Sequence, residues 1–125
     1  MVTQVFAVRG ATTADNTKES IYARTKELIK MIVDENGLKD KGFQITSIIC
    51  SSTADITAAY PAAAIRGDGF TETPLFSCLE PDIDGGLPLC IRLLVNVSSA
   101  GLEPKRAKHI YLHGAVVLRP DLIKK

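Results

Sequence analysis

The sequence predicts an α+β domain, a mixed five-stranded sheet with two helices in the order β-α-β-α-β-β-β. Three observations support that reading. Short apolar runs recur between turn signals at five places, as strands do. One long stretch, 15–36, carries its apolar residues at helical spacing. Pro61 opens a short alanine-rich segment that fits a second, brief helix. The 125 residues amount to one domain, 1–125, and 46% hydrophobic against 23% charged residues suffices for a packed core.

Taken in order, Thr3 to Arg9 reads as the first strand, closed by Gly10. Arg9 then lies at a strand end, where binding groups often gather, although a plain exposed arginine explains it equally well. Asp15-Asn16-Thr17 supply helix caps, and Asn16 with Glu19 has capping-box spacing. Ile21, Leu28, Ile29, Ile32 and Val33 share one face, with Thr25 in the gap, and Gly37 is a natural stop. Phe43 to Ser52 is the second strand. Ala62 to Arg66 is the second helix, with Pro61 at its first position and Arg66 suited to the dipole at its end. Thr73 to Leu79 and Cys90 to Val97 follow as strands, joined by a loop in which Gly85-Gly86 turns the chain so that the two lie side by side. Residues 101–105 turn again, and Lys108 to Leu112 is the fifth strand. Two helices cannot cover both faces of five strands, so further copies of the chain are expected against the bare face.

Charge excludes several functions. A net charge of +1, from 15 basic and 14 acidic residues, gives no basic surface for nucleic acid or an anionic membrane. Cys50, Cys78 and Cys90 form no CxxC pair and sit in apolar runs, as reduced structural thiols of a cytoplasmic protein do. No apolar stretch reaches the ~18 residues of a membrane span, and no secretory leader opens the chain.

The chemistry centres on Ser77 to Val95. Arg92 lies between Cys90-Ile91 and Leu93-Leu94-Val95, and a buried arginine demands an anion. No nucleophile elbow occurs, and neither of the two histidines has a motif partner. His109 and His113 have metal-like spacing only if helical, and their segment reads as strand. Asp82 and Asp84 begin a calcium-like loop, but Leu87, Pro88 and Leu89 occupy the later ligand positions. No metal or cofactor is therefore expected. Arg9, Arg66, Arg92 and Arg119 remain, with Tyr111 and Glu80 as polar partners. Such a set suits a polycarboxylate or phosphate. It describes either a pure anion-binding module or an enzyme that works by shape and electrostatics. A structural ion pair of Arg92 with Glu80 is the plainest alternative.

Five motifs in register resemble one family: Arg9-Gly10-Ala11-Thr12-Thr13; Tyr60-Pro61-Ala62 with Arg66; Glu80-x-Asp82 before Gly85-Gly86-Leu87; Cys90-Ile91-Arg92; and Tyr111 followed by Val117-Leu118-Arg119-Pro120-Asp121-Leu122. The family is the AroH-type, monofunctional chorismate mutases. The resemblance implies a homotrimeric pseudo-α/β-barrel with active sites between subunits. It also implies the Claisen rearrangement of chorismate to prephenate, on the route to phenylalanine and tyrosine, without cofactor or covalent intermediate. By that resemblance Arg92 donates to the breaking ether oxygen, Arg9 and Tyr111 hold substrate carboxylate, and Glu80 accepts from the ring hydroxyl. Tyr60 and Leu118 line the pocket, with Ala62, Leu75, Phe76 and Ser77 around it. Arg66 and Arg119 stand at the entrance, the latter on a tail that orders over the ligand. Three positions depart from the pattern: Ser77 replaces a frequent cysteine, Ala63 a frequent lysine and Tyr60 a phenylalanine. A non-catalytic trimeric carboxylate binder would use the same arginines, but would gain nothing from Glu80.

Overall fold

The computed structural model describes residues 3–100 and 106–119. Its elements are β1 (Thr3–Thr13), α1 (Lys18–Glu35), β2 (Phe43–Ser52), α2 (Pro61–Arg66), β3 (Leu75–Leu79), β4 (Cys90–Ala100), β5 (Ile110–Tyr111) and a 3₁₀ turn at His113–Val117. The expected order holds. The turn expected over 101–105 and the tail motif beyond Arg119 lie outside the described residues.

The five strands run β3-β2-β4-β1-β5 across the sheet. β4 pairs antiparallel with both β1 and β2, while β3 and β5 add parallel at the edges. β2 therefore separates β3 from β4, which corrects the expectation that Gly85-Gly86 sets those two side by side. The loop instead carries the chain past the end of β2. Gly85, at φ 77°, supplies its left-handed residue.

β1 is longer than expected because Gly10 does not stop it. Gly10 lies inside the ladder, opposite Leu93 and Ile110. A Cβ there would come within 2.6 Å of Ile32 Cδ1 and 3.0 Å of Leu28 Cδ1. The glycine thus makes room for two α1 side chains against the sheet.

α1 buries the predicted face: Ile21, Thr25, Leu28, Ile29, Ile32 and Val33. Its cap is Thr17, whose Oγ1 accepts from the Ser20 N–H at 3.1 Å. Asn16 does other work, correcting the capping-box expectation. Its Oδ1 accepts from the N–H groups of Thr57 and Ala58, both at 2.9 Å, and fixes the loop after β2. At the other end Gly37 adopts φ 61°, and the Leu38 N–H returns to Val33 O at 3.0 Å, closing the helix as predicted.

Alternation along β4 sorts the two faces. Ile91, Leu93, Val95 and Val97 are buried; the last three join Val8, Ile48, Ala62, Ile65 and α1 in the core, and Ile91 packs with Ala14, Ile21 and Ile56 beside it. Both helices lie on this face. The other face keeps Val5 79% and Phe76 68% exposed, so the expected shortfall in coverage is present in the described chain. A bulge between Ile45 and Ser47 reverses the phase of β2, bringing Ile48 and Cys50 to the core and Ile49 and Ser51 to the bare face. Cys50 and Cys90 are buried and free, and burial pushes the Cys50 thiol up to about 11. Cys78 is exposed, against expectation, because it lies on the bare side of the edge strand β3.

Gly10→Ala is expected to lower the unfolding free energy by about 1–3 kcal/mol, since the new methyl must displace α1 side chains. A urea titration checks this, and an unchanged midpoint would show that the helix has room to move.

Candidate active site

The register builds the site. One rung across the sheet reads Tyr111, Ala11, Arg92, Ser51 and Cys78, one residue from each strand. All five belong to the face opposite α1 and α2, where the 3₁₀ turn packs Ala115 against Ala11 and Cys90. Arg9 lies two residues before Ala11, on the same side of β1. Glu80 follows β3 directly and is tied down by its backbone N–H, which donates to Ser52 O at 2.9 Å.

Arg92 is not buried among the apolar residues that flank it in sequence. Ile91 and Leu93 point to the core, whereas the Arg92 side chain points the opposite way and is 44% exposed. Its anionic partner is Glu80, with Nε 3.3 Å from Oε1. The other carboxylate oxygen, Oε2, accepts from the Ser51 hydroxyl. The pair is half-open, so the reading of a buried structural ion pair does not describe it.

Arg9, Ser51, Glu80, Arg92 and Tyr111 line one cleft of about 210 Å³, floored by Ala11, Ile49 and Leu94. Ala11 sits between Arg92 and Tyr111 in the rung, and its small side chain leaves that floor low. The Arg92–Glu80 pair also walls a second cleft of about 400 Å³, which contains Leu118, Asp55 and Asp82. A third, of about 450 Å³, lies beside the edge strand and brings Tyr60 together with Ser77.

The predicted residues therefore divide. Arg9, Glu80, Arg92 and Tyr111 converge, with Leu118 across the ion pair. Tyr60 and Ser77 share a separate cleft of the same chain. Phe76 is exposed on the bare face of β3, and Arg66 is exposed at the end of α2. Leu75 packs half-buried against the core, and Ala62 is 5% exposed within it rather than lining a cleft. Arg119 is half-buried after the 3₁₀ turn, near enough for its charge to act on His109.

Several supporting residues escaped sequence reasoning. His109 is one: its Nδ1 accepts the Arg9 N–H at 2.9 Å, extending the two-residue β5 by a side chain. Asn36 is another, donating to Lys108 O at 2.9 Å and accepting from Lys108 N–H at 2.7 Å, as a neighbouring strand would. Asp55 holds Leu89, which has φ 51°, by accepting its N–H at 3.1 and 3.0 Å. That contact and the Cys90 N–H to Thr53 Oγ1 bond at 3.0 Å fix the start of β4 just before Arg92. The Thr53 hydroxyl, with the Leu89 N–H, holds the exposed Asp55 carboxyl below its usual range. His113 pairs with Glu27 at 2.8 Å, so the two imidazoles serve different partners. No cluster of three potential metal ligands occurs among the described residues.

A sheet face with two arginines, a carboxylate and a phenol around one small cleft has the chemistry to hold a small anion, with the carboxylate as an acceptor beside it. Comparison with known proteins gives the class a family. The sequence model for chorismate mutase type I matches residues 5–122. Chorismate mutase AroH of Bacillus subtilis is 38% identical over 117 residues, covering 92% of this chain and 90% of its own. Chorismate mutase AroH of Thermus thermophilus is 37% identical over 119 residues, covering 94% and 96%. A solved chorismate mutase structure from Clostridium thermocellum superposes with a TM-score of 0.80 at 43% identity, over 90% of this chain and 98% of that one. The chain belongs to the type I chorismate mutase family.

Burial, with the nearby Arg9 and Arg119 charges, holds the His109 pKa below the ordinary imidazole value of 6.5. Its accepting contact is thus complete above that value and is lost as pH falls through the lowered pKa. Amide exchange should show the protection factor of Arg9 lower at about pH 5 than at about pH 7. Equal protection at both would remove this role from His109.

Proposed function

We propose that this member of the family rearranges chorismate to prephenate in the cleft between Arg9, Glu80, Arg92 and Tyr111. The convergence of those four side chains on one face carries the reading. The reaction is unimolecular: one C–O bond breaks as one C–C bond forms, and no proton or group passes to the protein. Catalysis then consists of selecting the compact substrate conformer and stabilising the charge that develops. Arg9 and Tyr111 hold substrate carboxylate. Arg92 turns guanidinium N–H groups to the ether oxygen, where negative charge grows as the bond lengthens. Glu80 accepts from the ring hydroxyl. Its two oxygens offer about four lone-pair positions, so contacts to Arg92 and Ser51 leave acceptor capacity for the ligand.

The same proposal assigns the remaining residues to a homotrimer. The bare face, with Val5 and Phe76 exposed, supports burial against another copy. Tyr60, Ser77, Phe76 and Arg66 lie on the far edge of the chain and complete the cleft of a neighbouring subunit, with Leu75 and Ala62 packed behind them. Leu118 and Arg119 close the cleft over the ligand. The enzyme serves phenylalanine and tyrosine synthesis in the cytoplasm and needs no cofactor. Among the described residues no helix is long and apolar enough to cross a membrane.

Purified protein given chorismate is expected to form prephenate well above the spontaneous rate; binding without turnover would leave only a carboxylate-binding module. Arg92→Lys keeps the charge but loses the forked donor, and should cut kcat by about 10²–10³-fold with fold and trimer intact. Near-normal turnover would refute the role given to Arg92, and sedimentation reports the assembly.

A further inference from the structure

We propose that Ser51 is the positioning residue for Glu80, aiming its carboxylate at the ligand hydroxyl. The inference rests on the reading that Glu80 contacts the ligand.

Glu80 stands just past the end of β3, and one backbone bond, its N–H to Ser52 O at 2.9 Å, anchors its main chain while leaving its side chain free to turn. Its side chain has three rotatable bonds, and its own backbone fixes none of them. Two contacts restrain the carboxylate: Arg92 Nε at Oε1, 3.3 Å away, and the Ser51 hydroxyl at Oε2. They are unlike in kind. Arg92 is half-exposed on a long flexible side chain and, in the proposed reaction, is itself redirected to the ether oxygen. A contact that the substrate competes for cannot be what keeps Glu80 aimed. Ser51 has no such second duty. It lies on β2, between β3 and β4, directly opposite Arg92 and Cys78, so both neighbouring strands hold its backbone. Its hydroxyl sits one bond from Cβ, and it lines the same cleft as the four ligand-facing residues. The phase reversal at the β2 bulge puts it on that face.

The chemistry favours this residue type. Serine supplies one donor with little volume, which a cleft of about 210 Å³ can accept. Held at Oε2 by a rigid neighbour, Glu80 keeps its acceptor geometry when Arg92 moves. Misplacement of an acting group by about 1 Å can lower a rate by ~10².

Four variants of the full-length enzyme, assayed for chorismate turnover, test the proposal: Ser51→Ala, Ser51→Thr, Glu80→Ala and the Ser51→Ala/Glu80→Ala double variant. Ser51→Ala is expected to lose about 10- to 100-fold in kcat, with the smaller change in KM, because the loss is one of transition-state alignment. Ser51→Thr retains the hydroxyl and should recover most of that loss. In the Glu80→Ala background, Ser51→Ala should add no further loss, since a positioning residue has nothing left to position. Turnover of Ser51→Ala within about twofold of the parent, or losses that multiply in the double variant, would overturn the role of Ser51 while leaving that of Glu80 standing. If Glu80→Ala itself leaves turnover unchanged, the underlying reading of Glu80 fails instead, and the proposal fails with it.

Discussion

Everything in this site depends on the antiparallel register of β4 with its two neighbours. The ladder from Thr3↔Ala100 to Thr13↔Cys90 sets Arg92 beside Ala11, and the pairing with β2 sets it beside Ser51. A slip of one residue on either side would turn the guanidinium toward the core and an apolar side chain toward the cleft. The buried alternation of Ile91, Leu93, Val95 and Val97 guards against that slip, because each would be exposed in the wrong register. The packing that stabilises the sheet therefore also aims Arg92 at the cleft. The Asp55 contact to Leu89 begins the strand at the correct residue.

Much of this was legible in the residues. The apolar face of α1, its Gly37 stop, the short helix behind Pro61 and the order of the strands all follow from local periodicity and turn chemistry. Where the reading failed, it treated neighbours in sequence as neighbours in space. Arg92 looked buried because Ile91 and Leu93 flank it, yet a strand sends alternate residues to opposite faces. Gly10 looked like a terminator, when its missing side chain makes room for Ile32 and Leu28. Asn16 had the spacing of a cap and was recruited by a loop more than forty residues away.

The supporting contacts had no local signal at all. Ser51 meets Glu80 across 29 residues, and Arg9 meets His109 across 100. Neither pair has a motif, since each forms only when strands distant in sequence become adjacent. A family resemblance carries over the residues that face a ligand; the residues that hold them in place come from the three-dimensional register. The cleft accordingly has two tiers of polar groups, and the sequence yielded one of them.

The bulge in β2 makes this strand two half-strands of opposite parity. Before it, odd-numbered Ile45 faces the core; after it, even-numbered Ile48 and Cys50 do. Thr46 and Asn96 hold the irregularity in place, through a 3.2 Å bond from Thr46 Oγ1 to Asn96 O and a 3.0 Å bond from Asn96 Nδ2 to Ser47 Oγ. The extra residue, Thr46, is what changes the parity, because β4 alternates without interruption opposite it. A strand without Thr46 would read with one parity throughout and still place Ile45 opposite Val97 and Ser51 opposite Arg92. The pairing with β4, and not the length of β2, therefore decides which of its side chains reach the core and which the cleft.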